Sequence, residues 1–279
     1  MDGSQNTLSD PVQALPSPSD AEYDQCDIPG QSLTVAVAPT PTVSRTVDDD
    51  FELLNILMVF SSMPQDGLSD TMKKQLQEAR ENVLEWQAWE AKNIEDVVAR
   101  KVNTHELPQD KSVASALKRN AYRAKVAHTY RERSGWLVGT STQTNTSTLT
   151  GLRGQAASAI ARSVSTLLPS AFRQVSVVLY PTIRSLVDDT SNQQAFAFTF
   201  AGHEYDEVAA NVRTIIWQLN LDITVTACVD GKQVEASIIC LLTSDSFSAQ
   251  DWEKNAESIP KSAIDAGREI SRRFTLHLA

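Results

Sequence analysis

Residues 196–242 read FAFTFAGHEYDEVAANVRTIIWQLNLDITVTACVDGKQVEASIICLL, and the way this stretch divides decides the fold. Residues 195–201 alternate and place Phe196, Phe198 and Phe200 on one face, the period-two mark of a strand. Residues 205–219 have helical spacing, with Val208, Val212, Ile215, Ile216 and Leu219 pointing inward. Residues 221–229 alternate again, Asp230 and Gly231 supply a hairpin turn, and residues 234–242 return. Downstream, a helix over 249–270 is interrupted at Pro260, and 273–278 alternates through Phe274, Leu276 and Leu278. The order is β-α-β-β-α-β, a split βαβ arrangement. Two helices precede it, over 152–168 and 171–187, separated at Pro169, the second bent at Pro181. The class is α+β, with a C-terminal antiparallel sheet and flanking helices over residues 152–279.

Upstream of this unit, residues 140–151 (TSTQTNTSTLTG) read as a low-complexity polar linker and a domain boundary. Residues 51–139 form a helical region. Ser69 offers an N-cap, and Met72, Leu76, Ala79, Val83, Trp86, Ile94, Val97 and Val98 make a helical stripe that Glu90 interrupts. A helix over 69–103 is about 50 Å long and needs a partner for its stripe, either a second chain or the protein's own core. Residues 111–133 resume the helical pattern after a break around Pro108. Phe51, Leu53, Leu54, Leu57, Met58 and Phe60 predict a short apolar helix. Residues 1–50 hold nine acids, one base and six prolines, and read as a disordered acidic tail. The apolar patch at 33–38 is a candidate segment for docking a protein partner.

Charge gives the sharpest functional clue. The chain carries 35 acidic and 25 basic residues, yet residues 111–153 hold one acid and eight bases. Within the basic segment 111–136, Lys118, Arg119, Tyr122, Arg123, Lys125, Tyr130, Arg131 and Arg133 combine cations with aromatic rings. That chemistry suits RNA or an anionic membrane surface, where phosphates take the charge and rings stack on bases or enter the interface. Two basic pairs about a dozen residues apart also give a loose match to a nuclear import signal. The competing reading is a solvated face that folds back on the acidic tail.

Catalytic signatures are absent: there is no GxxxxGKS or GxxxxGKT, GxGxxG, HExxH or GxSxG. His203 and Glu204 stand beside Asp206 and Glu207, but acids in a first helical turn are explained by the helix dipole, so no metal is expected. Cys228 and Cys240 lie mid-strand, where a thiol is an inert core residue, and no cofactor is expected. Three cysteines without CxxC spacing fit a reducing compartment. No secretory signal or membrane span is legible. Stacking of bases on the sheet is excluded because residues 234–240 place no ring on either face.

Residues 196–242, read as a strand of alternating aromatics, a helix from Tyr205 to Trp217 and a paired hairpin, resemble the core of rhabdovirus matrix proteins. An acidic N-terminus and the absence of PPxY and PTAP depart from that family. The layout is also similar to that of rhabdovirus phosphoproteins. The resemblance implies a non-enzymatic viral structural or assembly protein of the virion. It would self-associate as a homo-oligomer and bridge nucleoprotein or nucleic acid to other components, in the virion and the host cytoplasm or nucleus. The alternative is a polymerase-cofactor adaptor working through its acidic tail, and a third reading is an enzyme whose site has no sequence signature.

Overall fold

A computed structural model describes residues 50, 55–61, 67–175, 193–206, 211–229 and 232–277, with positions 180, 183, 184 and 187. The strands are β1 (Ile56–Phe60), β2 (Leu137–Leu152), β3 (Gln193–Asp206), β4 (Asn211–Ala227), β5 (Gln233–Phe247) and β6 (Thr275–His277). They form one sheet in the order β2-β5-β4-β3-β1-β6. Strands β3, β4 and β5 make an antiparallel meander, β2 adds antiparallel to β5, and β1 runs parallel to both β3 and β6. The sheet is therefore mixed, where the sequence predicted an antiparallel one, and the protein is α+β.

Helices cover both faces. One face carries α1 (Asp70–Asn103), α2 (Val113–Glu132), α4 (Ala249–Ala256) and α5 (Lys261–Ser271); the other carries α3 (Arg153–Leu167) and a 3-10 turn (Ser170–Val175). Ser69 caps α1 by accepting from the Met72 N–H at 3.3 Å, and Ser112 caps α2 by accepting from Ser115 N–H at 3.2 Å. Each cap satisfies a donor that a helix start leaves unpaired. Pro260 separates α4 from α5, as its missing N–H and fixed φ require.

Three elements differ from the sequence expectation. Residues 56–60 are strand, not helix: Leu57 and Val59 enter one core while Ile56, Met58 and Phe60 enter the other. A strand buried on both faces reads as a continuous apolar run, so it carries no alternation to distinguish it from a helix. Residues 211–219 are likewise strand. Ile215, Trp217, Leu219, Leu221, Ile223 and Val225 alternate without a break, and Ile216 is apolar because β4 is central and covered on its other face too. That extra isoleucine made a helical stripe. The split βαβ order is replaced by the meander.

Residues 140–151, expected as a linker, lie within β2 and pair with β5 from Leu137↔Phe247 to Leu152↔Gln233. The sheet thus runs across the expected domain boundary. Asp50, assigned to the acidic tail, is 1% exposed and belongs to the fold. The rest of the tail, residues 1–49, lies outside the described residues, as do the 33–38 patch, Pro181 and the Asp230–Gly231 turn. Just outside that turn, Cys228 N–H donates to Gln233 C=O at 2.9 Å and closes the hairpin.

The two cores differ in kind. Around α3, Phe196, Phe198, Phe200, Leu219, Leu221 and Ile238 make an aliphatic and phenylalanine core. Under α1, the rings of Trp89, Trp136 and Trp252 meet edge-on or tilted, with centroids 5.1 to 6.0 Å apart, the geometry that the ring quadrupole favours.

Candidate functional site

The basic segment becomes α2 and the turn that follows it, and α2 packs on α1. That packing turns four of the eight expected contact residues inward: Arg119, Arg123, Tyr130 and Arg131 are each at most 3% exposed. Arg119 donates Nε and Nη2 to the two Asp50 oxygens at 2.7 and 2.6 Å, and Nη1 to the Pro108 and Asp110 carbonyls, both at 2.8 Å. Arg123 clasps Glu95 through Nε at 2.6 Å and Nη2 at 2.9 Å, while Nη1 reaches Asp50 Oδ2 at 2.8 Å. Arg131 clasps Glu90 through Nε and Nη2, both at 2.9 Å. Tyr130 meets Trp89 edge-on at 5.6 Å.

Burial opposes the Arg123 charge, but Glu95 and Asp50 outweigh it, so its pKa is raised and the guanidinium stays ionised. Three cations face three carboxylates, and the cluster is neutral. These four side chains meet no phosphate or base while α2 stays seated. Lys118 and Arg133 are exposed, and Tyr122 and Lys125 are half-buried. The expected polyanion face is therefore divided: its arginine half is a buried ion-pair network that fastens α2 to α1 and to Asp50. Glu90 gave the missed signal, since a carboxylate inside an apolar stripe calls for a cation on the facing helix.

The other chemical candidates resolve as follows. Among the described residues no group of His, Cys, Asp and Glu could hold a metal ion. Burial pushes the Cys240 thiol up to about 12, which leaves it protonated and unreactive. His203 ends in β3, stacks against Phe60 with centroids 6.4 Å apart, and meets Thr214 Oγ1 through Nδ1 at 3.0 Å. Burial, then the nearby Arg80 charge, lowers its pKa to about 4. The unfolded chain protonates near 6.5 and the folded chain only near 4, so stability is full above pH 6.5 and falls as pH drops through that window. The loss reaches roughly 3 kcal/mol by pH 4. Urea unfolding at pH 7 and pH 4.5 checks this. Wild type is expected to lose more stability than His203→Gln, and equal losses would count against a buried neutral histidine.

What remains at the surface is the β2 edge. Its sixteen residues carry no charge, and Ser141 to Thr146, Thr148 and Thr150 are exposed. Thr142 pairs with Thr243, which pairs with Gln218, so its side chain shares the α1/α2 face with Thr144, Thr146 and Thr148. The helices of that face do not reach this far. On the α3 face, Leu149 packs into the core, and Ser141 and Gln143 line a cavity of about 310 Å³ with Leu167, Leu168, Pro169, Trp217, Leu242 and Ser244. The opposite edge, β6, has three residues. Natural sheets guard long edges with lysine, proline or bulges. β2 has a single bulge between Gly139 and Ser141, then pairs without a shift to Leu152. The signal in sequence was the alternation of threonine, a β-branched residue, at every second position from 140 to 150.

Fold and site together define, among the described residues, a three-layer α+β protein with a long, uncharged sheet edge at β2 that pairs on one side only. No family model matches the chain, and no curated protein matches it. Among the described residues no helix is long and apolar enough to cross a membrane.

Proposed function

We propose that the protein is a non-enzymatic assembly protein that self-associates by adding strands at the β2 edge. One observation carries this reading: a sixteen-residue edge strand with no charged side chain, exposed along most of its length, in a chain of net charge −10. Strand addition at such an edge gives affinity through main-chain hydrogen bonds, and a neutral strand approaches another without the repulsion that the rest of the surface imposes. The bridging role expected from the sequence, tying nucleoprotein or RNA to other components of a virion, is compatible with such an assembly. Residues 211–217 are strand, however, so the helix on which the 196–242 resemblance rested is absent and the β2 edge alone supports the reading. Bridging would fall to surfaces other than the buried arginines, such as that of the exposed Lys118.

Light scattering across a range of protein concentrations tests the proposal. Wild type is expected to form a species heavier than the monomer. Thr142→Lys with Thr146→Lys, which sets four like charges at a symmetric seam, is expected to return the protein to monomer without changing its unfolding transition. A wild type that stays monomeric at all concentrations overturns the reading, as does an assembly indifferent to both lysines.

A further inference from the structure

The strand that occupies the β2 edge has a definite identity: we infer that it is β2 of a second copy, running antiparallel about a two-fold axis through Thr144. This rests on the assembly reading of β2 above and specifies its partner and register. The argument begins with residues 140–148, TSTQTNTST, which read nearly the same in both directions. Centred on Thr144, the antiparallel pairing sets Gln143 opposite Asn145, Thr142 opposite Thr146 and Ser141 opposite Ser147 of the partner strand. Threonine alternation alone makes the threonine pairs symmetric. The serine pair and the matched amides are independent of it, and they make the whole segment self-complementary.

The physical consequences favour that register. An isologous interface needs each residue to suit its two-fold mate, and here each position meets its own type or a close relative. Cross-strand Thr–Thr pairs stabilise antiparallel sheets, and the amides of Gln143 and Asn145 can exchange hydrogen bonds across the seam. The axis stands perpendicular to the sheet, so both α1/α2 layers lie on one side and both α3 layers on the other. The six-stranded sheet continues to twelve, within the size known for open sheets. Ser141 and Gln143 line the 310 Å³ cavity on the α3 face, so Ser147 and Asn145 of the second copy arrive at its mouth. Among the described residues, pairing on β2 consumes that edge of both copies and leaves the three-residue β6 as the outer strand at each end. The product is a closed dimer rather than a fibre.

A spin label on cysteine reads the register directly. Cys26 and Cys228 are replaced by serine, while Cys240 is buried in the core. Label at Thr144→Cys then sits about 5 Å from its two-fold mate, and label at Thr142→Cys about 14 Å from its own. Dipolar broadening is expected to be strong for 144 alone, weak for 142 alone, and strong for a mixture of 142-labelled and 146-labelled chains. Light scattering on each labelled protein reports its mass, and the mixture covers the case in which a label at 144 weakens pairing. If the protein associates through β2 but broadening peaks at another position, or appears at none, the two-fold register is overturned while the assembly reading stands. If the full chain is monomeric alone and pairs only with a strand of some other protein, the second-copy inference is overturned. If the lysine substitutions leave association unchanged, both fall.

Discussion

Arg123→Leu is expected to lower the stability of the protein by about 3–5 kcal/mol, the usual cost of removing one partner from a buried ion pair. The substitution strands Glu95, which is 6% exposed and loses both its 2.6 and 2.9 Å contacts, and it removes one of the donors to Asp50. At 6% exposure water reaches little of the vacated carboxylate, so most of its desolvation is left uncompensated. The double variant Arg123→Leu with Glu95→Leu is expected to recover part of the loss, because it buries apolar atoms in place of a charge. Lys74→Ala serves as the surface control. Its pair with Glu78 spans 3.6 Å between side chains more than half exposed, and its loss is expected to cost under about 1 kcal/mol. Urea unfolding of the four proteins decides the matter. If Arg123→Leu resembles the Lys74 control, the guanidinium is solvated and α2 presents a basic face after all.

The second large effect comes from Gly267 in α5. A Cβ there would lie 1.8 Å from the carbonyl oxygen of Ala88 in α1, and this neighbour is backbone, which cannot rotate aside. The two helices touch through main chain, and the absent side chain sets their spacing. Gly267→Ala is expected to push α5 away and cost about 3 kcal/mol, the upper end of the overpacking range. In a domain of this size that lowers the thermal midpoint by roughly 6–12 °C. Gly135→Ala, whose Cβ meets nothing within 4 Å, is expected to leave the midpoint nearly unchanged. Similar midpoints for the two variants would mean that α5 does not sit on α1 as described.

The helices were the readable part of this chain. The helix expected over 69–103 is Asp70–Asn103 with Ser69 as cap, and the one over 111–133 is Val113–Glu132. In both, a serine cap precedes residues with helical apolar spacing, and that sufficed to place them, although α1 is buried on every side from Trp86 to Ala91. The strands were readable only where one face alone is apolar, as in β5, whose Val234, Ala236, Ile238 and Cys240 alternate with Glu235 and Ser237. β1 and β4 are apolar on both faces and lost their period-two mark, whereas β2 is polar at every position from Thr140 to Thr148 and had no apolar face to show there. Strand identity in those three depends on what covers each face, and that is fixed by chain segments far away in sequence.

Sequence by itself determined the α+β class, the extents of α1, α2 and α3, the break at Pro260 and the pairing of β4 with β5 across a short turn, because these follow from local geometry, capping and nearby alternation. Tertiary structure alone decided the strand order, which makes neighbours of β1, β3 and β6, and it alone decided where the charge of the 111–136 segment goes. Asp50 reaches Arg119 across 69 residues and Arg123 across 73, and Glu90 reaches Arg131 across 41. A guanidinium facing water and one facing a buried carboxylate are the same letter in a sequence. The helix–helix contact distinguishes them, because it removes water from one side of α2 and supplies carboxylates in its place.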